Sequence, residues 1–131
     1  MFISVVIPTY NRRAILEKCL SALEHQDACG ELDDYEVVVV DDGSTDGTPD
    51  WLRSCADRFL RVRLFEQSHG GPADGRNRGV SNARGDVIVF IDSDLVVTPT
   101  FLGCHARALS KQWARTGSRL CFTYGAVINT A

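Results

Sequence analysis

Apolar residues follow two rhythms along this chain. Phe2 to Ile7 (FISVVI) and Glu36 to Val40 (EVVVV) are short continuous runs rich in β-branched residues. Such runs read as strands that are apolar on both faces. Between them Ile15, Leu16, Cys19, Leu20 and Leu23 recur at intervals of three and four, the period of a helix with one buried face. Asn11 is placed to cap that helix. Thr48 and Pro49 read as the N-cap and first residue of a second helix, which gathers Trp51, Leu52, Cys55, Ala56 and Phe59 on one side. A third strand is predicted over VRLFE (62–66). A glycine-rich loop, SHGGPADG, then leads to a helix from about Arg76 to Ala83. DVIVFI (86–91) reads as a fourth buried strand. Thr98-Pro99 repeats the cap signal before Phe101, Leu102, Ala106 and Leu109, and LCFTYGAV (120–127) is a last strand candidate.

Strand and helix alternate throughout, so the pattern predicts an α/β fold: a mostly parallel sheet with helices on both faces, in one domain spanning 1–131. In such sheets ligands bind beyond the carboxyl ends of the strands. That rule points to three loops, PTYNR (8–12), DDGSTDG (41–47) and DSDLV (92–96). Asp41, Asp42, Asp92 and Asp94 are then expected to gather along one rim. Two like charges about 4 Å apart repel by roughly 1 kcal/mol in water and ~4 kcal/mol in a partly shielded site. A bound divalent cation reverses the sign, and hard ions such as Mg²⁺ or Mn²⁺ take carboxylate oxygens while leaving positions for phosphates. The alternative is that DSD is a polar turn leaving a strand. Within DDGSTDG an aspartate could accept hydrogen bonds from a base or a ribose, or the segment could be a surface turn. Arg76 and Arg78 open the predicted helix and suit diphosphate oxygens, though for Arg78 a solvated basic face is the favoured reading. Of His25, His69 and His105, only His69 falls near the expected rim.

Composition narrows the field. The chain has 131 residues and a formal net charge of −3, which gives no electrostatic reason to expect nucleic acid. No apolar run approaches the ~20 residues of a membrane span, and Met1 leads directly into FISVVIP, so neither a span nor a signal peptide is expected. The five cysteines are odd in number and form no C-x-x-C. They are expected to be reduced, mostly as core filler, in a cytoplasmic protein or one at the cytoplasmic face of the membrane.

VVIPTYNR, VVVVDDGSTDGT, GGPADGRNRG and GDVIVFIDSD, in this order and spacing, closely resemble the nucleotide-binding half of family 2 glycosyltransferases, which have the GT-A fold. The resemblance runs from about Ile3 to Leu102. It implies that Pro8, Thr9 and Tyr10 line a nucleotide pocket, and that Asp42 meets the base, with uracil favoured, supported by Asp41. It implies that Arg76 approaches the diphosphate, that Asp92 lies near ribose and metal, and that Asp94 is a direct ligand of Mn²⁺ or Mg²⁺. The implied reaction is an inverting transfer of a sugar from a nucleoside-diphosphate sugar, a UDP-sugar favoured, to the hydroxyl of an unidentified sugar or lipid-linked acceptor. Leu95 departs from the family pattern, standing where many relatives carry a further acid. The family's catalytic base and acceptor-gripping segments lie further along than this chain extends. No base is therefore nominated, and the chain is expected to be a truncated donor-binding portion whose exposed apolar edge could drive it to self-associate as a homo-oligomer. Two alternatives stand beside this: a non-catalytic nucleotide-sugar-binding module, and a phosphatase of the haloacid-dehalogenase type. The latter also places D-x-D after an apolar strand, but normally near the chain start. A nicotinamide site is disfavoured, because no G-x-G-x-x-G follows the first strand.

Overall fold

In the computed structural model, which describes residues 1–27 and 29–128, the two longest apolar runs become the central strands of a parallel sheet. Phe2–Thr9 (β1) and Asp34–Asp41 (β2) are flanked by Val62–Glu66 (β3) and Val87–Phe90 (β4), in the order β3-β2-β1-β4. The intervening helices are Arg13–Glu24 (α1), Thr48–Ser54 (α2) and Pro72–Asn82 (α3), with Phe101–Thr116 (α4) after β4.

Strand alternation divides the core into two layers. Ile3, Val5, Ile7, Val37 and Val39 pack with Leu16, Cys19 and Leu20 of α1, Trp51 and Leu52 of α2, and Leu102 and Ala106 of α4. Val6, Val38 and Val40 face the other way, with Phe65 and Ile88. Each such valine or leucine is worth about 1.5–3 kcal/mol when fully buried. On this second face α3 lies tight against β1. A Cβ at Gly75 would sit 2.9 Å from Cβ of Pro8, and one at Gly79 would collide with Val6. Register pairs Thr9 with Asp41, so β1 and β2 end level and present their loops together.

Several local signals land differently from the sequence reading. Asn11 does not cap α1; it adopts φ 51°, a left-handed conformation asparagine tolerates. Its Oδ1 accepts a hydrogen bond from the Thr45 amide at 2.7 Å. The Arg13 amide at the start of α1 donates instead to Asp46, at 3.2 Å. α2 begins at Thr48 behind a left-handed Gly47, which places Pro49 second, and it stops at Ser54. Phe59 reaches the core from the turn beyond, and Ala56 is exposed. α3 starts at Pro72 rather than Arg76, because proline's fixed φ suits the first helical position. Arg76 and Arg78 therefore sit inside the helix. The N-cap of α4 is Thr100 rather than Thr98. β4 is an edge strand with Phe90 50% exposed, not a buried one. Residues 120–127 form no strand, and Leu120, Phe122, Tyr124 and Val127 stand in solvent; β propensity becomes a strand only where a ladder accepts it, and no described strand pairs with them. All five thiols are free, yet only Cys19 is buried and Cys104 is exposed, so core filling does not describe the set. Among the described residues no helix is long and apolar enough to cross a membrane.

Candidate functional site at the carboxyl ends of the strands

Two pairs of aspartates leave the sheet along this rim, and they have opposite fates. Asp41 and Asp42 end β2 and are 1% and 2% exposed. Asp41 Oδ2 accepts the Ser44 amide at 2.9 Å. Its Oδ1 and the Thr9 hydroxyl, side by side in register, are buried with no partner among the described residues. Asp42 is enclosed by the segment that connects β3 to α3. Gln67 Nε2 and the Gly70 amide donate to its Oδ1 at 2.7 and 2.9 Å. The Gly71 amide donates to Oδ2 at 2.8 Å, and His69 Nδ1 lies 2.9 Å from the same oxygen. A carboxylate offers about four lone-pair sites, and here all four are taken. Burial pushes the Asp42 carboxyl up, but the donors from Gln67, Gly70 and Gly71 and the charge of His69 outweigh it, and its pKa lies below the ordinary value. Gly43 makes this wrapping possible: its φ is +80°, and a Cβ there would sit 3.0 Å from the His69 amide nitrogen.

Asp92 and Asp94 follow β4 and are open to solvent, their side chains 58% and 50% exposed, while Ser93 between them is buried. Each carboxylate meets a different arginine. Arg76 Nη2 of α3 lies 2.7 Å from Asp92 Oδ1, and Arg12 Nη1, just before α1, lies 3.2 Å from Asp94 Oδ2. Exposed pairs of this kind contribute roughly 0–1 kcal/mol, so they are easily exchanged. Behind them the Cys19 thiol lies 4.0 Å from the Asp92 carbonyl oxygen, and burial, helped by the charge of Asp94, pushes it up to about 12.

The four carboxylates therefore lie along one rim as two separate pairs, not as one cluster. β1 separates β2 from β4, and among the described residues no group of three or more His, Cys, Asp or Glu side chains is arranged to hold a metal. Asp41 and Asp42 are drawn inward by local donors, which leaves Asp92 and Asp94 as the available pair. Two exposed carboxylates two positions apart fit a hard cation of the Mg²⁺ or Mn²⁺ kind, which commonly takes one or two protein carboxylates and completes its shell with phosphate and water. Of the residues expected to line a nucleotide pocket, Pro8 and Thr9 are buried and Tyr10 shows its ring at the surface, 42% exposed. Its ring stacks on His69, centroids 4.2 Å apart at 29°.

Sequence reasoning missed Gln67 and Arg12 and gave His69 no part. The glycine pair beside His69 was the available signal, since only a backbone free to turn sharply can bring two successive amides onto one carboxylate.

A parallel α/β sheet places its ligand site beyond the carboxyl ends of the strands, and comparison with known proteins makes the class specific. The model of the family "Glycosyl transferase family 2" matches residues 4–121. Validoxylamine A glucosyltransferase of Streptomyces hygroscopicus subsp. jinggangensis is 42% identical over 109 residues, covering 79% of this chain and 25% of that protein. S. aureus TarS 1-349 in complex with UDP-GlcNAc superposes with a TM-score of 0.74 at 31% identity, covering 85% of this chain and 32% of that one. The mannosyltransferase PcManGT of Pyrobaculum calidifontis, in complex with GDP-Man and Mn²⁺, superposes with a TM-score of 0.62 at 37% identity, over 70% of this chain and 27% of that one. The chain belongs to glycosyl transferase family 2 and has the GT-A fold. It spans about a quarter of the length of the first curated relatives it matches.

Proposed function

We propose that this chain is the donor-binding part of an inverting glycosyltransferase, which binds a nucleoside-diphosphate sugar for transfer to an acceptor hydroxyl. The observation that carries this is the Asp92–Asp94 pair, two exposed carboxylates at the end of β4 balanced by arginines from two different elements. Asp92 and Asp94 would hold a Mn²⁺ or Mg²⁺ ion. When bound, the ion supplies Lewis-acid neutralisation of charge on the departing diphosphate. Arg76, which pairs with Asp92 at 2.7 Å, would turn to the same phosphates as a charge-assisted donor once the metal takes that carboxylate. Tyr10 offers its ring face to the base, and Asp42, which holds the loop against which the base packs, accepts the base's ring N–H. A UDP-sugar is favoured: TarS, one of the structural relatives, was solved with UDP and with UDP-GlcNAc. PcManGT, another, carries GDP-Man and Mn²⁺, so guanine is the second candidate base, and in that relative a divalent cation accompanies the donor. The haloacid-dehalogenase alternative is set aside, because the family match spans residues 4–121, which include both DDGSTDGT and DSD.

Calorimetric titration tests the proposal. UDP is expected to bind in the presence of Mn²⁺ and to lose most of its affinity in chelator; equal affinity in both conditions would overturn the metal assignment.

A further inference from the structure

His69 makes two contacts at once. Its ring lies on Tyr10, centroids 4.2 Å apart. Its Nδ1 lies 2.9 Å from Asp42 Oδ2 and 3.1 Å from the Asp42 main-chain oxygen. Both neighbours are acceptors only, so Nδ1 carries the proton. A flat heterocycle is thus stacked on an aromatic face while its ring N–H is given to a buried carboxylate. These are the two contacts by which a nucleobase with a ring N–H would be recognised at the same place. The imidazole is nevertheless held loosely: its side chain is 58% exposed, and it is followed by Gly70 and by Gly71 at φ +100°, a backbone able to move. The other three donors to Asp42, from Gln67, Gly70 and Gly71, do not involve the ring and survive its departure.

We propose that the His69 imidazole is a built-in stand-in for the donor's nucleobase, displaced from Tyr10 and Asp42 when the base binds, so that its departure weakens the binding of every nucleotide by the same factor. The inference rests on the nucleotide-binding reading above and deepens it. The exchange is balanced only for certain bases. Uracil, thymine and guanine bring a ring N–H on the edge that meets Asp42, so one stack and one N–H···O⁻ bond replace another pair of the same kind. Cytosine and adenine have no ring N–H on that edge. They turn a ring-nitrogen lone pair toward the carboxylate and offer only an exocyclic amino N–H beside it, while Oδ2 keeps the Gly71 amide. That preference belongs to Asp42 and is the same whether or not His69 is present.

The test is equilibrium binding of UDP, CDP and inorganic pyrophosphate, each with Mn²⁺, to the wild-type chain, His69→Ala and His69→Phe. His69→Ala removes the occupant. UDP and CDP are each expected to bind about three- to tenfold more tightly, by the same factor, so that the UDP/CDP preference stays as it is, with pyrophosphate unchanged. His69→Phe keeps a ring on Tyr10 and should show no gain for UDP over wild type, which controls for loosening of the loop. Ring resonances of His69, followed by NMR in the wild-type chain, should shift on adding UDP and stay put on adding pyrophosphate. Weaker or unchanged UDP binding in His69→Ala, an equal gain for pyrophosphate, or His69 signals indifferent to UDP would overturn the exchange while leaving the nucleotide site intact. Failure of UDP and GDP to bind either the folded wild type or the folded His69→Ala variant would instead overturn the underlying reading and the exchange with it.

Discussion

The aspartates after β2 and the aspartates after β4 are chemically identical, sit on the same rim, and are used in opposite ways. Asp42 is 2% exposed and receives donors on both of its oxygens. Asp92 and Asp94 are half exposed, and each touches one arginine. The difference comes from what surrounds each strand end. β2 is central, and the chain returning from β3 passes directly over its end, so backbone amides are close at hand. β4 is at the sheet's edge, and nothing described covers its end except two cationic side chains, Arg12 and Arg76. A carboxylate saturated by backbone amides builds the fold; one balanced by an exposed arginine is free to exchange its partner for a cation.

The sharpest break of this contrast is Asp42→Ala. It strands the Gln67, Gly70 and Gly71 donors, and unmet buried donors cost roughly 1–3 kcal/mol each before relaxation. A loss of about 3 kcal/mol is expected in urea unfolding, with nucleotide recognition weakened whether or not metal is present. A change under about 0.5 kcal/mol would mean that the segment over β2 is not held by this carboxylate.

Acid tests the same claim without mutation. Asp42 has a depressed pKa, and so does Glu36. Glu36 lies on the α3 face near the amino ends of the strands; burial pushes its carboxyl up, and hydrogen bonds from Ser4, Arg63 and the Arg84 amide more than reverse that. A carboxyl whose folded pKa lies below its unfolded value stabilises fully above the unfolded value, near pH 4, and loses that stabilisation as pH falls through the folded value. Stability measured by denaturant should therefore be flat above about pH 5 and decline below about pH 4. In Asp42→Asn the decline should be shallower; an unchanged slope would count against the assignment.

Asp94→Ala should do the reverse of Asp42→Ala. An exposed ion pair contributes roughly 0–1 kcal/mol, so the fold should hold while the Mn²⁺ dependence of UDP binding disappears. An unfolded Asp94→Ala chain would make this carboxylate structural too, and the contrast would fail. The smallest effect is expected from Arg12→Ala. Freed of its arginine, Asp94 should bind Mn²⁺ alone up to about fivefold more tightly, in line with the modest strength of exposed pairs; weaker Mn²⁺ binding would show that Arg12 supports the site rather than competing for it.

Much of this molecule was legible before its structure. FISVVI and EVVVV could hardly be anything but central strands, because a short run apolar on both faces can be buried only inside a covered sheet. The alternation with helices then fixed a parallel topology and located the rim, and the spacing of four motifs fixed the family. What sequence could not settle was which polar groups would meet. Asn11 looked like the cap of its own helix, yet it bonds Thr45 from the next loop. LCFTYGAV has strand composition but no described strand beside it. The four aspartates looked like one cluster, yet Asp42 was claimed by amides from residues 70 and 71, almost thirty positions away in sequence, and Asp41 by the Ser44 amide. Hydrophobic pattern is written locally because burial depends on a side chain's own chemistry and period. The commitment of a polar group depends on which donor arrives first across the fold, and that is decided only when β3 and α3 bring Gln67 and His69 to the end of β2.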